Sequence, residues 1–508
     1  MSRIRIVKGK YVKITHGDHN MSTEGHIVSN AAGEIREKGN ENGIIYNNFE
    51  RKGSEVNDDF EIKLSLKRDK AYSTVVPFGI LDFKGNYENA HFVFDYSLML
   101  GNIDSLDFKI LNEDGSTLYA VKNLPEVVVP SRQIPLLAQD LMKKKPKNDP
   151  LQPKKAWDWK SVFDPYNIMS GDYTKIGSYV IFWDGFDNNE IYDSTKFDNK
   201  KLKAVIVAKK NGKEKTKEVE FTTNYSEVNW VDVKIDKKNK RIDTTLRVNL
   251  KDGGEEGLGQ HVGPVSSTYP AKEYEIKYDW EKVPKKVISK WGKEPIKYRT
   301  RTYKDLEKLS IEGLNYHWGR NQNHAVAKDL KIIRESYEFY LNSIQSNKNT
   351  IGTIELVYNT NGNWMRSGNP GSIKDPLTIG GNIFSRQAIC YNIGYIYSLE
   401  WYEFYKKNNW RYRDESNEDI EFKETSAHEI GHEIIKKYGG TIYSYGHKET
   451  VNPVFQYENS NAIPYPKTGE IDLMPYYTDW LDYSERKRIV VSEKDVLGLI
   501  WLTKISIK

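Results

Sequence analysis

The chain has 508 residues, room for roughly two to four domains with sizeable cores. Lys and Arg number 76 against 71 Asp and Glu, a net charge of +5 too mild to call for nucleic acid, and the mean hydropathy of −0.71 suits a protein with an extensive polar surface. No stretch approaches the ~18 apolar residues of a membrane span, and the single cysteine, Cys390, excludes an internal disulfide framework and reads as a core thiol.

The opening Met1–Gly9 is basic but has no apolar run of signal-peptide length. The expectation is synthesis in the cytoplasm, with any export by a route that reads no cleavable signal. Residues 1–55 read as a docking leader of short strands, with Gly9, Gly17, Gly25 and Gly33 eight residues apart. Within it, His16, Asp18 and His19 lack fixed ligand spacing and read as a polar turn.

Residues 56–128 alternate apolar and polar positions over Phe60–Leu66, Tyr72–Leu81, Ala90–Tyr96 and Ser105–Leu111, which predicts a β-sandwich-like domain. Residues 129–160 are a Lys- and Pro-rich linker. A second β-rich domain spans 161–270, with strands at Ser178–Trp183, Leu202–Ala208, Thr216–Thr222, Asn229–Ile235 and Arg241–Leu250 and a hairpin turn at Asn211-Gly212. The acidic loop Asp184–Glu190 lacks the ligand order of a calcium hand. The glycine-rich Gly253–Gly263 lacks the Gly-Lys-Ser/Thr ending of a phosphate loop.

From about residue 271 the pattern becomes mixed. Leu330, Ile333, Tyr337, Leu341 and Ile344 recur at helical spacing and predict a helix over Ala325–Ile344. Thr353–Asn359 reads as a strand, Tyr391–Tyr405 as an aromatic helix or strand, and Glu493–Thr503 as a closing helix, with Ser492 and Asp495 placed as in a capping box.

Between them lies Thr425–Tyr438, which contains His428-Glu429-x-x-His432. Ile430, Ile434, Ile435 and Tyr438 give the helical period, and Gly439-Gly440 a stop. Four residues turn a helix through about 400°, so the two imidazoles project from one face and can share one Zn²⁺. Glu429, rotated about 100° away, stands beside the metal as a general base for its water. A catalytic zinc takes three protein ligands. The third is His447, which follows a glycine-broken return and is preferred over Glu449, Glu470 and Asp472; Asp472 is the candidate acceptor for a ligand's second ring nitrogen. Among Tyr443, Tyr445, Tyr476 and Tyr477, the favoured donors to an oxyanion are Tyr445 and Tyr477.

Met474, in Thr468–Tyr477, resembles the Met-turn of metzincin peptidases, although Ile435 and Tyr438 stand where that pattern has Gly and His. Gly440-Thr441 and Tyr445-Gly446 resemble the aspzincin pattern, with Tyr443 where its aspartate would be. More broadly, Ser426–Tyr438, Tyr443–Thr450, Thr468–Met474 and Val490–Leu502 are similar to the C-terminal zincin domains of bacterial toxins associated with type VI secretion, and Ile4–Lys10 is similar to their leaders.

The resemblance implies a C-terminal α+β zincin-like catalytic domain over 271–508 behind a β-rich N-terminal half. It implies a zinc metallopeptidase acting on peptide or protein substrates, secreted as an effector, with a secretion-apparatus component and an immunity protein as partners. Two alternatives stand beside it: a zinc amidase acting on cell-wall peptides, and a delivery or adaptor protein with a non-catalytic zinc site.

Overall fold

Alternation of apolar and polar side chains makes strands that bury one face, and this chain uses it to build two stacked sheets and one large mixed sheet. The computed structural model describes residues 59–124, 172–265, 274–368, 388–398, 409–452 and 458–508. The leader and the linker lie outside these, as do the His16–His19 patch and residues 399–405 of the undecided aromatic segment. Asp58–Lys508 forms one compact unit, mostly β.

In chain order the strands are β1 (Glu61–Leu66), β2 (Thr74–Val75), β3 (Phe92–Met99), β4 (Ser105–Leu111), β5 (Thr117–Val121), β6 (Gly177–Trp183), β7 (Ile191–Asp193), β8 (Lys200–Lys210), β9 (Lys213–Tyr225), β10 (Val231–Asp236), β11 (Arg241–Glu256), β12 (Gln260–Pro264) and β13 (Tyr274–Tyr278). Helices α1 (Lys285–Trp291) and α2 (Tyr303–His317) follow, then β14 (Leu330–Ile332), β15 (Glu335–Gln345), β16 (Thr353–Asn363), β17 (Ala388–Ser398) and β18 (Asn409–Arg413). The chain continues through α3 (Glu415–Gly439), α4 (Thr441–Tyr445), β19 (Ile471–Asp472), β20 (Ile489–Val490), α5 (Glu493–Trp501) and β21 (Ile505–Ile507).

An antiparallel sheet in the order β1-β3-β6 packs on a six-stranded sheet in the order β2-β21-β9-β8-β4-β5. Rings interdigitate between the two, with Phe94 5.4 Å from Phe108 and Phe92 5.8 Å from Phe221. On β4, Leu106, Phe108 and Ile110 turn inward and their neighbours outward. At the β8–β9 hairpin, Asn211 and Gly212 have φ of 47° and 77°, the paired positive values a two-residue turn needs. Strands from 56–128 and 161–270 alternate within these sheets, so the two stretches share one sandwich. The last strand, β21, returns to it between β2 and β9.

The large sheet runs β14-β15-β11-β16-β17-β18, with β10 and β7 beside the first half of β11. Its central strand, β11, is parallel to β15 along Arg241–Val248 and to β16 along Asn249–Glu256. A boundary at residue 271 therefore cuts one sheet, since β11 precedes it and its parallel partners β15 and β16 follow. Strand β17 is buried from Ala388 to Ile396, as parallel strands covered on both faces are, and Cys390 lies within it.

Ala325–Ile344 is not a helix. Tyr337, Phe339, Leu341 and Ser343 are buried at period two on β15, while Ile333 and Ile344, which completed the helical count, are exposed. The aromatic and β-branched side chains outweigh a chance match to i, i+3, i+4 spacing.

Helices α2 and α3 pack together over this sheet, closest at Gly313, where a Cβ would lie 2.1 Å from the Lys423 carbonyl oxygen. The buried Glu418 fixes α3 to the sheet by accepting from the Asn392 backbone N–H at 2.7 Å and from Arg413 Nε at 2.9 Å. Among the described residues no helix is long and apolar enough to cross a membrane.

Candidate metal centre

Helix α3 carries His428 and His432 one turn apart, and their Nε2 atoms stand 3.2 Å from each other. The helix stops at Gly440, whose φ of 88° and ψ of 164° lie in a region open almost only to glycine. The chain makes the short helix α4 and then three consecutive left-handed residues, His447, Lys448 and Glu449, with φ of 47°, 56° and 70°. That turn swings the His447 ring to 4.6 Å from the His432 ring and 5.2 Å from the His428 ring. One ligand nitrogen from each of the three lies within 4.8 Å of the others, so the set can hold a metal ion.

The other nitrogen of each ring is engaged. His428 Nδ1 donates to the Leu473 carbonyl at 2.9 Å and His447 Nδ1 to the Tyr445 carbonyl at 3.1 Å. His432 Nδ1 donates to Ser444 Oγ at 3.2 Å, and that hydroxyl donates in turn to the His432 carbonyl at 2.7 Å. These acceptors assign the proton to Nδ1 and leave an Nε2 lone pair on every ring. Burial holds the His428 imidazole down at about 4, and burial with repulsion among the rings holds His432 and His447 well below the ordinary imidazole range. Three buried lone pairs that resist protonation fit a cation, and an all-imidazole set suits zinc, copper, iron or nickel rather than calcium or magnesium.

Between the two histidines on α3, Gly431 faces the fully buried Met474, whose Sδ lies 2.9 Å from where a Cβ on that glycine would stand. Glu429 flanks the ligands. Burial pushes its carboxyl up to about 7, Arg366 working against the shift, and among the described residues its side chain makes no hydrogen bond.

The aromatic wall is Tyr476, with its ring 4.1 Å from His447 and its Oη accepting from Arg366 Nη2 at 3.2 Å. The Tyr476 backbone N–H donates to Thr450 Oγ1, which donates to the His447 carbonyl, so wall and ligand are set together.

The favoured tyrosines turn their hydroxyls elsewhere, although the Tyr445 ring lies 5.9 Å from the His432 ring. Tyr477 donates to the Asp472 carbonyl at 2.9 Å and stacks on Tyr465 at 4.1 Å. Tyr445 is buried, with its hydroxyl 3.5 Å from Lys436 Nζ. Tyr443 packs on Phe83, 4.7 Å away. The carboxylates weighed against His447 are not in the triad: Glu470 pairs with Arg320 at 2.6 Å, and Asp472 pairs with Lys448 instead of supporting a histidine.

Arg366, Ser444 and Lys448 stand at the site without a motif that points to them. Arg366 lies 62 positions before His428, just past the end of β16, and carries no periodic or motif signal. Ser444, within one turn of Tyr445-Gly-His447, was the more legible of them.

No protein-family model matches the chain, and no curated protein matches it significantly.

Proposed function

We propose that the protein is a zinc-dependent metallopeptidase. The observation that carries this reading is the convergence of one ligand nitrogen each from His428, His432 and His447, near a carboxyl, that of Glu429, with no hydrogen bond among the described residues. Three imidazoles leave a fourth coordination position free, as a catalytic site requires and a closed structural site does not. Zinc bound there supplies a Lewis acid that polarises the substrate carbonyl and lowers the pKa of its water to about 7.

The chain's own groups do the rest. Glu429, rotated off the ligand face, takes the proton of the attacking water and hands it to the leaving amine nitrogen. Tyr476 Oη, held by Arg366, donates to the carbonyl oxygen as negative charge develops on it. Met474 packs against Gly431, between the two ligands on α3, and this supports the zincin resemblance. The toxin-domain likeness of the same tracts extends the proposal to a delivered effector.

The test is hydrolysis of an unstructured protein and of a mixed peptide library by the full chain. Cleavage that stops on chelation and returns with zinc is the expected result. Failure to cleave either substrate, with zinc bound, would overturn the peptidase reading.

A further inference from the structure

Lys448 is a buried ammonium that no step of hydrolysis uses. Its Nζ forms ion pairs with Asp472 and Asp495 and donates to Ser492 Oγ at 3.1 Å, while Ser492 Oγ donates to Asp495 Oδ2 at 2.7 Å. These partners come from separate parts of the fold. Asp472 ends β19, one residue before the Leu473 carbonyl that orients His428, and Ser492 and Asp495 begin α5. Lys448 itself directly follows His447 and is the middle residue of the left-handed turn.

We propose that Lys448 is a positioning residue for the third metal ligand. A non-glycine residue in the left-handed region is disfavoured because its Cβ crowds the following carbonyl oxygen, and here three stand in a row. Local hydrogen bonds oppose that strain, from the Thr450 N–H to the Gly446 carbonyl at 3.0 Å and from Thr450 Oγ1 to the His447 carbonyl at 2.7 Å. The ion cluster anchors the turn to the rest of the fold. The Lys448 ammonium cannot leave the fully buried Asp495 and the partly buried Asp472 without stranding charge at Asp495, so the turn is held in the conformation that brings His447 to His428 and His432. One cation thereby joins the backbone beside the third ligand to the backbone under the first.

The inference rests on the metal reading of the histidines, and its experiment separates the two. The full chain is titrated with cobalt(II), following the ligand-field absorption and, by chelator competition, the affinity. Wild type binds with the spectrum of a three-imidazole site. Lys448→Met binds at least about tenfold more weakly, in the range of lost outer-shell support, and with an altered spectrum.

Because Lys448→Met strands two carboxylates, a triple variant adding Asp472→Asn and Asp495→Asn removes all three charges. It recovers thermal stability but keeps the weak affinity and the altered spectrum. Wild-type affinity and spectrum in either variant would overturn the positioning role and leave the metal site standing. No cobalt binding by wild type would overturn both.

Discussion

The sandwich and the histidine site are built on opposite terms. In the sandwich, β4 and β8 place Leu106, Phe108, Ile110, Leu202, Ala204, Ile206 and Ala208 inward by simple alternation, and Lys203 and Glu220 face each other across the outer surface. Its stabilisation is burial, which is non-directional and tolerant of substitutions that keep volume. The site depends on directed contacts instead: one carbonyl or hydroxyl per imidazole, a left-handed turn, and a lysine closed in by two aspartates. The comparison teaches that a loss in the first region is felt as stability, and a loss in the second as metal affinity or rate. The regions nonetheless touch. Phe83, on the loop between β2 and β3, packs against Tyr438 at 5.5 Å and Tyr443 at 4.7 Å, at the end of the helix that bears the histidines.

The largest separation of the two comes from Trp183. It is 2% exposed, stacks on Phe92 at 4.9 Å and donates its indole N–H to the Phe186 carbonyl at 2.8 Å. Trp183→Ala destabilises the fold by about 3–5 kcal/mol, read as a lowered urea midpoint, while the folded variant binds zinc as tightly as wild type. A matching fall in zinc affinity would erase the distinction. The converse substitution is Tyr476→Phe, which removes one hydroxyl from the wall of the site. It lowers kcat by about 10²–10³-fold with zinc content and urea midpoint unchanged. Unaltered kcat would remove Tyr476 from the chemistry.

The smallest effect concerns pH. Burial holds the His317 imidazole down at about 4 from its ordinary 6.5, with Nδ1 donating to the Ile489 carbonyl at 2.8 Å. The unfolded chain therefore takes up this proton first. Stability from this group is complete above pH ~6.5 and is lost as pH falls toward ~4, by up to about 3 kcal/mol. His317→Asn keeps a donor near that carbonyl but gains no proton, so the metal-free variant shows a shallower loss over that window. An unchanged slope would assign the acid sensitivity to other groups.

What was legible in the sequence divides along the same line. The pattern over Ser105–Leu111 predicts the observed strand ends, because alternation over seven residues has few rival interpretations. Over residues 325–344 five apolar positions also fit a helix, and only the buried set Tyr337, Phe339, Leu341 and Ser343 decides between the periods. His428, Glu429 and His432 follow from helix geometry alone. His447 was reachable as a histidine after a glycine break, but the turn that delivers it depends on Asp472 and Asp495, dozens of positions away. Whether Tyr476 or its neighbour faces the site is likewise set by one turn's direction, which residue types do not encode.

The most direct measurement compares the full wild-type chain with Glu429→Gln, determining zinc content by elemental analysis and peptide hydrolysis on the same samples. The account predicts one zinc per chain in both, with hydrolysis in the variant lower by about 10²–10⁴-fold, the range of a lost general base. Hydrolysis by Glu429→Gln at the wild-type rate, with zinc bound, would contradict it.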